Sequence, residues 1–102
     1  MAVVKVTQEN FEEVINSKSV VLLDFYADWC GPCRMVGPIV EEIANEREDI
    51  TVGKINVDEE PDLAGEFGVF SIPTLVVMKN GEIVNQATGA RPKAQILAML
   101  EG

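Results

Sequence analysis

The chain has 102 residues, room for one domain of ordinary size but not for two cores, and 47% of them are hydrophobic, the balance of a folded globular protein. Seventeen acidic side chains against eight basic ones, with no histidine, leave a formal net charge of -9, which repels phosphate backbones and anionic lipid surfaces and excludes nucleic acid as an expected partner. The longest uninterrupted apolar run, Ile96 to Leu100, has five residues where a spanning helix needs roughly 20, so no membrane crossing is expected.

Val3 to Val6 is a short β-prone run, after which Thr7 offers an N-cap to a helix with Phe11, Val14 and Ile15 turned inward. Val20 to Tyr26 is nearly all apolar and too short for a globular helix, which predicts a strand buried on both faces and interrupted by one acid, Asp24. From Pro32 to about Arg47 the apolar residues Met35, Val36, Ile39, Val40 and Ile43 recur at helical spacing. Pro38 falls inside this helix, where its ring is expected to kink the axis near the Arg34 carbonyl. Thr51 to Val57 predicts a third strand, and Asp58 is placed to cap a short helix through Leu63 and Phe67 that stops at Gly68. Thr74 to Met78 and Glu82 to Gln86 flank Asn80-Gly81, a pair suited to a type I′ hairpin turn. Arg91-Pro92 opens a last helix with Ile96, Leu97 and Leu100 on one face. Five strands and four helices, parallel at the start and antiparallel at the hairpin, predict an α/β fold with a helix-flanked mixed sheet. No linker or repeat divides the chain, so residues 1–102 are expected to form a single domain.

The chemistry concentrates in Trp29-Cys30-Gly31-Pro32-Cys33, between the buried strand and the amphipathic helix. The N-terminal stretch Met1 to Val6 has no basic segment followed by an apolar one, so a cytoplasmic location is expected. In that reducing compartment closely spaced cysteines are more often catalytic or metal-binding than structural. Two cysteines three apart share one side of a first helical turn and can close a small disulfide without unfolding either element. Cys30, at or just before the helix start, meets unpaired N–H groups and the positive end of the helix dipole; these favour thiolate over thiol and make it the expected nucleophile. Cys33 is then the resolving thiol. Pro32 fits the first turn without sacrificing a helical hydrogen bond and narrows the geometry between the thiols. A purely structural disulfide across so short a loop would remove only about 2 kcal/mol of unfolded-state entropy. A closed zinc site needs four ligands, and with two cysteines and no histidine only an intersubunit site could supply them. Trp29, next to a nucleophile, reads as contact surface, and Asp24, flanked by apolar residues, reads as buried.

In these residues the chain resembles the thioredoxin family. Asp24-Phe25-Tyr26-Ala27 leads into Trp29-Cys30-Gly31-Pro32-Cys33, and Ile72-Pro73-Thr74, Asn80-Gly81 and Gly89 follow in family order, so the resemblance runs through essentially the whole chain. It implies the thioredoxin fold, with Pro73 cis beside the dithiol, the backbone of Ile72 docking extended substrate, and Asp24 buried behind Cys33 as its base. It also implies a general protein disulfide reductase with no cofactor beyond the Cys30-Cys33 dithiol, monomeric, acting on disulfide-containing client proteins and recharged by a flavoprotein thioredoxin reductase. Clients are expected to lie across Trp29, Gly31, Pro32, Ile72, Pro73, Gly89 and Ala90, and Lys54 is placed to modulate Asp24. The Gly31-Pro32 dipeptide is similar to that of the family's reductants, whereas oxidising and isomerising relatives usually carry a histidine before the second cysteine. Two places depart from the family pattern. Tyr26 stands where many members have Trp, and Phe70-Ser71 precedes Ile72 where a basic or small residue is common, which puts Phe70 at the rim of the client groove. The alternative reading is a binding subunit of the same fold whose dithiol is incidental to a partner complex.

Overall fold

Side chains alternate across a strand, so an almost wholly apolar strand such as Val20 to Tyr26 needs a cover on each face. A computed structural model describes residues 2–101 and supplies both covers; Met1, part of the N-terminal stretch, and Gly102, the end of the expected domain, lie outside the described residues. The elements run β1 (Val3–Lys5), α1 (Phe11–Ile15), β2 (Val20–Tyr26), α2 (Gly31–Glu46), β3 (Thr51–Asn56), α3 (Pro61–Glu66), β4 (Thr74–Lys79), β5 (Glu82–Thr88) and α4 (Lys93–Glu101). They build a five-stranded sheet in the order β1-β3-β2-β4-β5, with β1, β3 and β2 parallel and β4 and β5 antiparallel.

On one face Val21, Leu23 and Phe25 of β2 pack with Val14 and Ile15 of α1 and Leu63 and Ala64 of α3. Phe67, just beyond α3, sets its ring 5.2 Å from that of Phe25 and 5.7 Å from that of Phe11. Phe25 is fully buried there, and truncating such a ring to alanine costs about 3–5 kcal/mol. On the other face Leu22 lies under Val36, Val40 and Ile43 of α2 and Ile96, Met99 and Leu100 of α4. Asp24 is two residues from Leu22 and so shares this second face, in the central strand.

Three expectations shift. The first helix starts at Phe11, because Thr7 and Asn10 bond each other's backbone: the Thr7 N–H donates to Asn10 Oδ1 (2.8 Å) and the Asn10 N–H to Thr7 Oγ1 (3.4 Å). Thr7 Oγ1 does accept an amide three residues on, in the reciprocal pattern of a capping box, but the turn it closes precedes the helix. Asp58 does not cap α3 either: Asn56 Oδ1 accepts the N–H groups of Asp58 and Glu59, and the helix begins at Pro61. Met35 belongs to the apolar stripe of α2 yet is 68% exposed, on the wall of an open hollow that it lines with Ile39 and Pro92. Elsewhere α2 continues as one helix through Pro38. Asn80 and Gly81 both have positive φ, 52° and 82°, as a type I′ turn requires.

Candidate active site

Tyr26 and Asn56 are register partners, so the parallel strands β2 and β3 end level. The chain leaving β2 turns at once into the N-terminus of α2, which sets Cys30 and Cys33 above the carboxyl ends of these strands, where open α/β sheets carry their sites. Cys30 is the N-cap of α2 in an extended conformation, and the Cys33 N–H donates to its Sγ at 3.2 Å. An otherwise orphaned amide of the first turn is thereby aimed at that sulfur. The two cysteines form a disulfide, with Cα atoms 5.3 Å apart.

Both cysteines are buried, and they pack with Ala27, Tyr26, Val57 and Ile72. Their surroundings separate them. Cys30 Sγ lies 3.8 Å from the Ile72 carbonyl oxygen, beside the loop that carries the cis Ile72-Pro73 bond. Cys33 instead lines a cavity of about 280 Å³ with Tyr26, Gly37 and Lys54. The cis loop is braced from two sides: Thr74 Oγ1 donates to the Ser71 carbonyl (2.6 Å), and the Gly89 N–H donates to the Pro73 carbonyl (2.8 Å). Gly89 reaches this position with φ of 104°, a conformation that a Cβ would strain.

Trp29 is 69% exposed, and its Nε1–H donates to Asp58 Oδ2 at 2.8 Å. It lines a groove of about 410 Å³ with Val57, Val69, Phe70, Ser71 and Ile72, and Phe70 is 97% exposed. Gly31 and Pro32 are exposed in the first turn of α2. Ala90 lines a separate hollow of about 300 Å³, together with Met35 and Arg91. The fold therefore gathers Trp29, Phe70 and Ile72 into one groove and ties Gly89 to Pro73 through the backbone, while Ala90 faces another recess.

Asp24 is 1% exposed, and both its carboxylate oxygens lack a hydrogen-bond partner among the described residues. Its strand neighbours are Lys54 on β3 and Leu75 on β4. Desolvation raises its pKa from 3.8 to about 6, with the Lys54 charge pulling the other way. A group with that value exchanges protons close to neutrality. The half-buried Lys54 sets its Nζ 4.4 Å from the Tyr26 ring centroid. Among the described residues no cluster of three or more His, Cys, Asp or Glu is arranged to hold a metal ion, and no helix is long and apolar enough to cross a membrane.

The family model for thioredoxin matches residues 2–102. The chain belongs to the thioredoxin family. It is 52% identical over 102 residues to the thioredoxin of Pyropia yezoensis, covering 98% of this chain and 95% of that one. It is 47% identical over 97 residues to thioredoxin 2 of Chlorobaculum tepidum, covering 93% and 89%. An asparagine-to-glutamine variant of the thioredoxin from Halobacterium salinarum NRC-1 superposes with a TM-score of 0.91 at 42% identity, covering 97% of this chain and 88% of that one. Family and dithiol together make the protein a thiol-disulfide oxidoreductase that reduces disulfides through the Cys30-Cys33 couple.

Within this thioredoxin-family site three contributors escape a reading of the sequence alone. Asp58 holds the Trp29 indole, Thr74 braces the cis loop, and Tyr26 underlies Lys54. Asp58 alone left a usable signal: it comes two residues after the end of β3 and so lies at the sheet end that carries the dithiol.

Proposed function

We propose that Cys30 is the attacking thiolate and Cys33 the resolving thiol of a general protein disulfide reductase that works in the cytoplasm as a one-domain monomer. The observation that carries the assignment is the Cys33 N–H directed at Cys30 Sγ from the first turn of α2, because it favours negative charge on that sulfur. An extended client lies in the groove of Trp29, Phe70 and Ile72, against Pro73 and Gly89, with Gly31 and Pro32 at its margin, and reaches Ala90 only where it runs on past Gly89.

The Cys30 thiolate attacks one sulfur of the client disulfide. That bond breaks, the leaving client sulfur takes up a proton, and a mixed disulfide joins the client to Cys30. The Cys33 thiol gives its proton to the Asp24 carboxylate, directly or through one water, and attacks Cys30 Sγ. The second client sulfur leaves as a thiol, so two electrons pass to the client and Cys30-Cys33 remains as a disulfide. A flavoprotein reductase returns the two electrons. No cofactor is needed in the chain itself, since the dithiol carries the electrons, and Lys54 modulates the charge on Asp24.

Reduction of insulin disulfides with dithiothreitol as electron source tests the reading. The parent protein is expected to accelerate the reaction and Cys30→Ser to be inert. A Cys30→Ser protein as active as the parent would favour a binding subunit with an incidental dithiol.

A further inference from the structure

Tyr26 follows Asp24 by two residues on β2, and Lys54 stands directly opposite Asp24 on β3, so the three side chains share the face that α2 covers. The Lys54 ammonium is not on the carboxylate: both Asp24 oxygens lack a hydrogen-bond partner among the described residues, and no ion pair joins Asp24 to Lys54. It sits instead 4.4 Å from the centroid of the Tyr26 ring. From above, α2 approaches at Gly37, where an added Cβ would stand 3.6 Å from Nζ. The ammonium is thus held between an aromatic face and a helix, at the wall of the cavity that Cys33 also lines.

The attraction of a cation to a ring face explains why the ammonium rests there. A lysine stem is long and flexible, and without a platform it would carry the charge into water. We propose that Tyr26 is a positioning residue whose ring holds the Lys54 ammonium beside the cavity behind Cys33, near enough to favour charged Asp24 but out of hydrogen-bond contact, leaving the carboxylate free to take a proton. The remaining groups around this space are fixed by the same walls: Cys33, Arg34 and Glu41 from α2 and Asp28 from the loop line the cavity, and β4 contributes only the apolar Leu75 beside Asp24. The inference rests on the assignment of Asp24 as proton acceptor for Cys33, and its test reads Asp24 without using that reaction.

The test is the titration of the Asp24 carboxyl carbon by NMR in the oxidised protein, for Tyr26→Phe and Tyr26→Leu, each with Lys54 present and with Lys54→Met. Lys54→Met alone is expected to move the midpoint upward. Tyr26→Phe, which keeps the ring face, leaves it unchanged. Tyr26→Leu raises it by most of the Lys54→Met shift, and adds nothing further once Lys54 is gone. An unchanged or lowered midpoint in Tyr26→Leu, or an equal rise with and without Lys54, overturns the proposal; should Tyr26→Leu not fold, Tyr26→Met carries the same comparison. Failure of the underlying assignment shows separately, as an Asp24→Asn protein that resolves mixed disulfides at the parental rate.

Discussion

Asp24→Asn removes a carboxyl that the central strand holds at 1% exposure with no hydrogen-bond partner among the described residues. Raising a pKa from 3.8 to about 6 makes ionisation in the folded protein harder by about 3 kcal/mol. The folded-state value lies above the unfolded one, so the stabilising contribution of the protonated group is complete below about pH 4 and is lost as pH rises through about 6. The stability of Asp24→Asn relative to the parent is therefore expected to climb between these limits by about 3 kcal/mol and then stay level. The new amide brings its own cost of burial, about 1–3 kcal/mol if unpaired, but that cost does not vary with pH. Urea unfolding of both oxidised proteins from pH 4 to pH 9 measures the difference, and stability curves that run parallel throughout would refute a buried, titrating Asp24. The same substitution is expected to slow resolution of a mixed disulfide in single-turnover assays by about 100-fold, the lower end of what a positioned base supplies. The loss is expected to be largest below the pKa of a free thiol, where spontaneous deprotonation of Cys33 is scarce.

In the reduced protein Cys30 is expected to alkylate with iodoacetamide much faster than Cys33, because the amide of the first turn faces its sulfur; equal rates, read by mass spectrometry of the modified peptides, would contradict this. Cys33→Ser is expected to accumulate mixed disulfides with client proteins on a non-reducing gel, since attack survives and resolution does not, and a lysate that yields no adducts would count against it. Phe70→Ala is expected to raise KM for protein disulfides while leaving reaction with small disulfides nearly unchanged, because the ring is 97% exposed on the groove wall. Parallel losses on both substrates would give Phe70 a structural role instead.

The elements that are plain in the sequence are those whose pattern has one period and one cause. The apolar run Val20 to Tyr26, the stripe of α2 and the Asn80-Gly81 turn each agree with the fold, because burial and φ preference leave little choice there. The starts of α1 and α3 are not plain, because side-chain turns precede both helices, Thr7 with Asn10 and Asn56 with the amides of Asp58 and Glu59, and propensity does not show how far beyond such a turn the helix begins. Of the site, the dithiol and the burial of Asp24 follow from neighbouring residues, and the cis Pro73 followed only from resemblance to the family. Contacts such as Trp29 with Asp58 and Lys54 with Tyr26 span distant parts of the chain and exist only once the strands are in register. Ala90 follows Gly89 directly, yet it lines a different recess from the groove of Trp29 and Phe70, a separation that the order of residues does not reveal.

The central claim, that the Cys30-Cys33 couple drives reduction of other proteins' disulfides, is tested most directly by equilibrating the couple with glutathione buffers of graded ratio and measuring the fraction of dithiol at each. A reductase must hold its electrons less tightly than glutathione does, so the account predicts a reduction potential well below the glutathione poise, with the disulfide persisting even in strongly reducing mixtures. A potential well above that poise would mean that the dithiol is the favoured form and that the protein oxidises its partners, which would contradict the account.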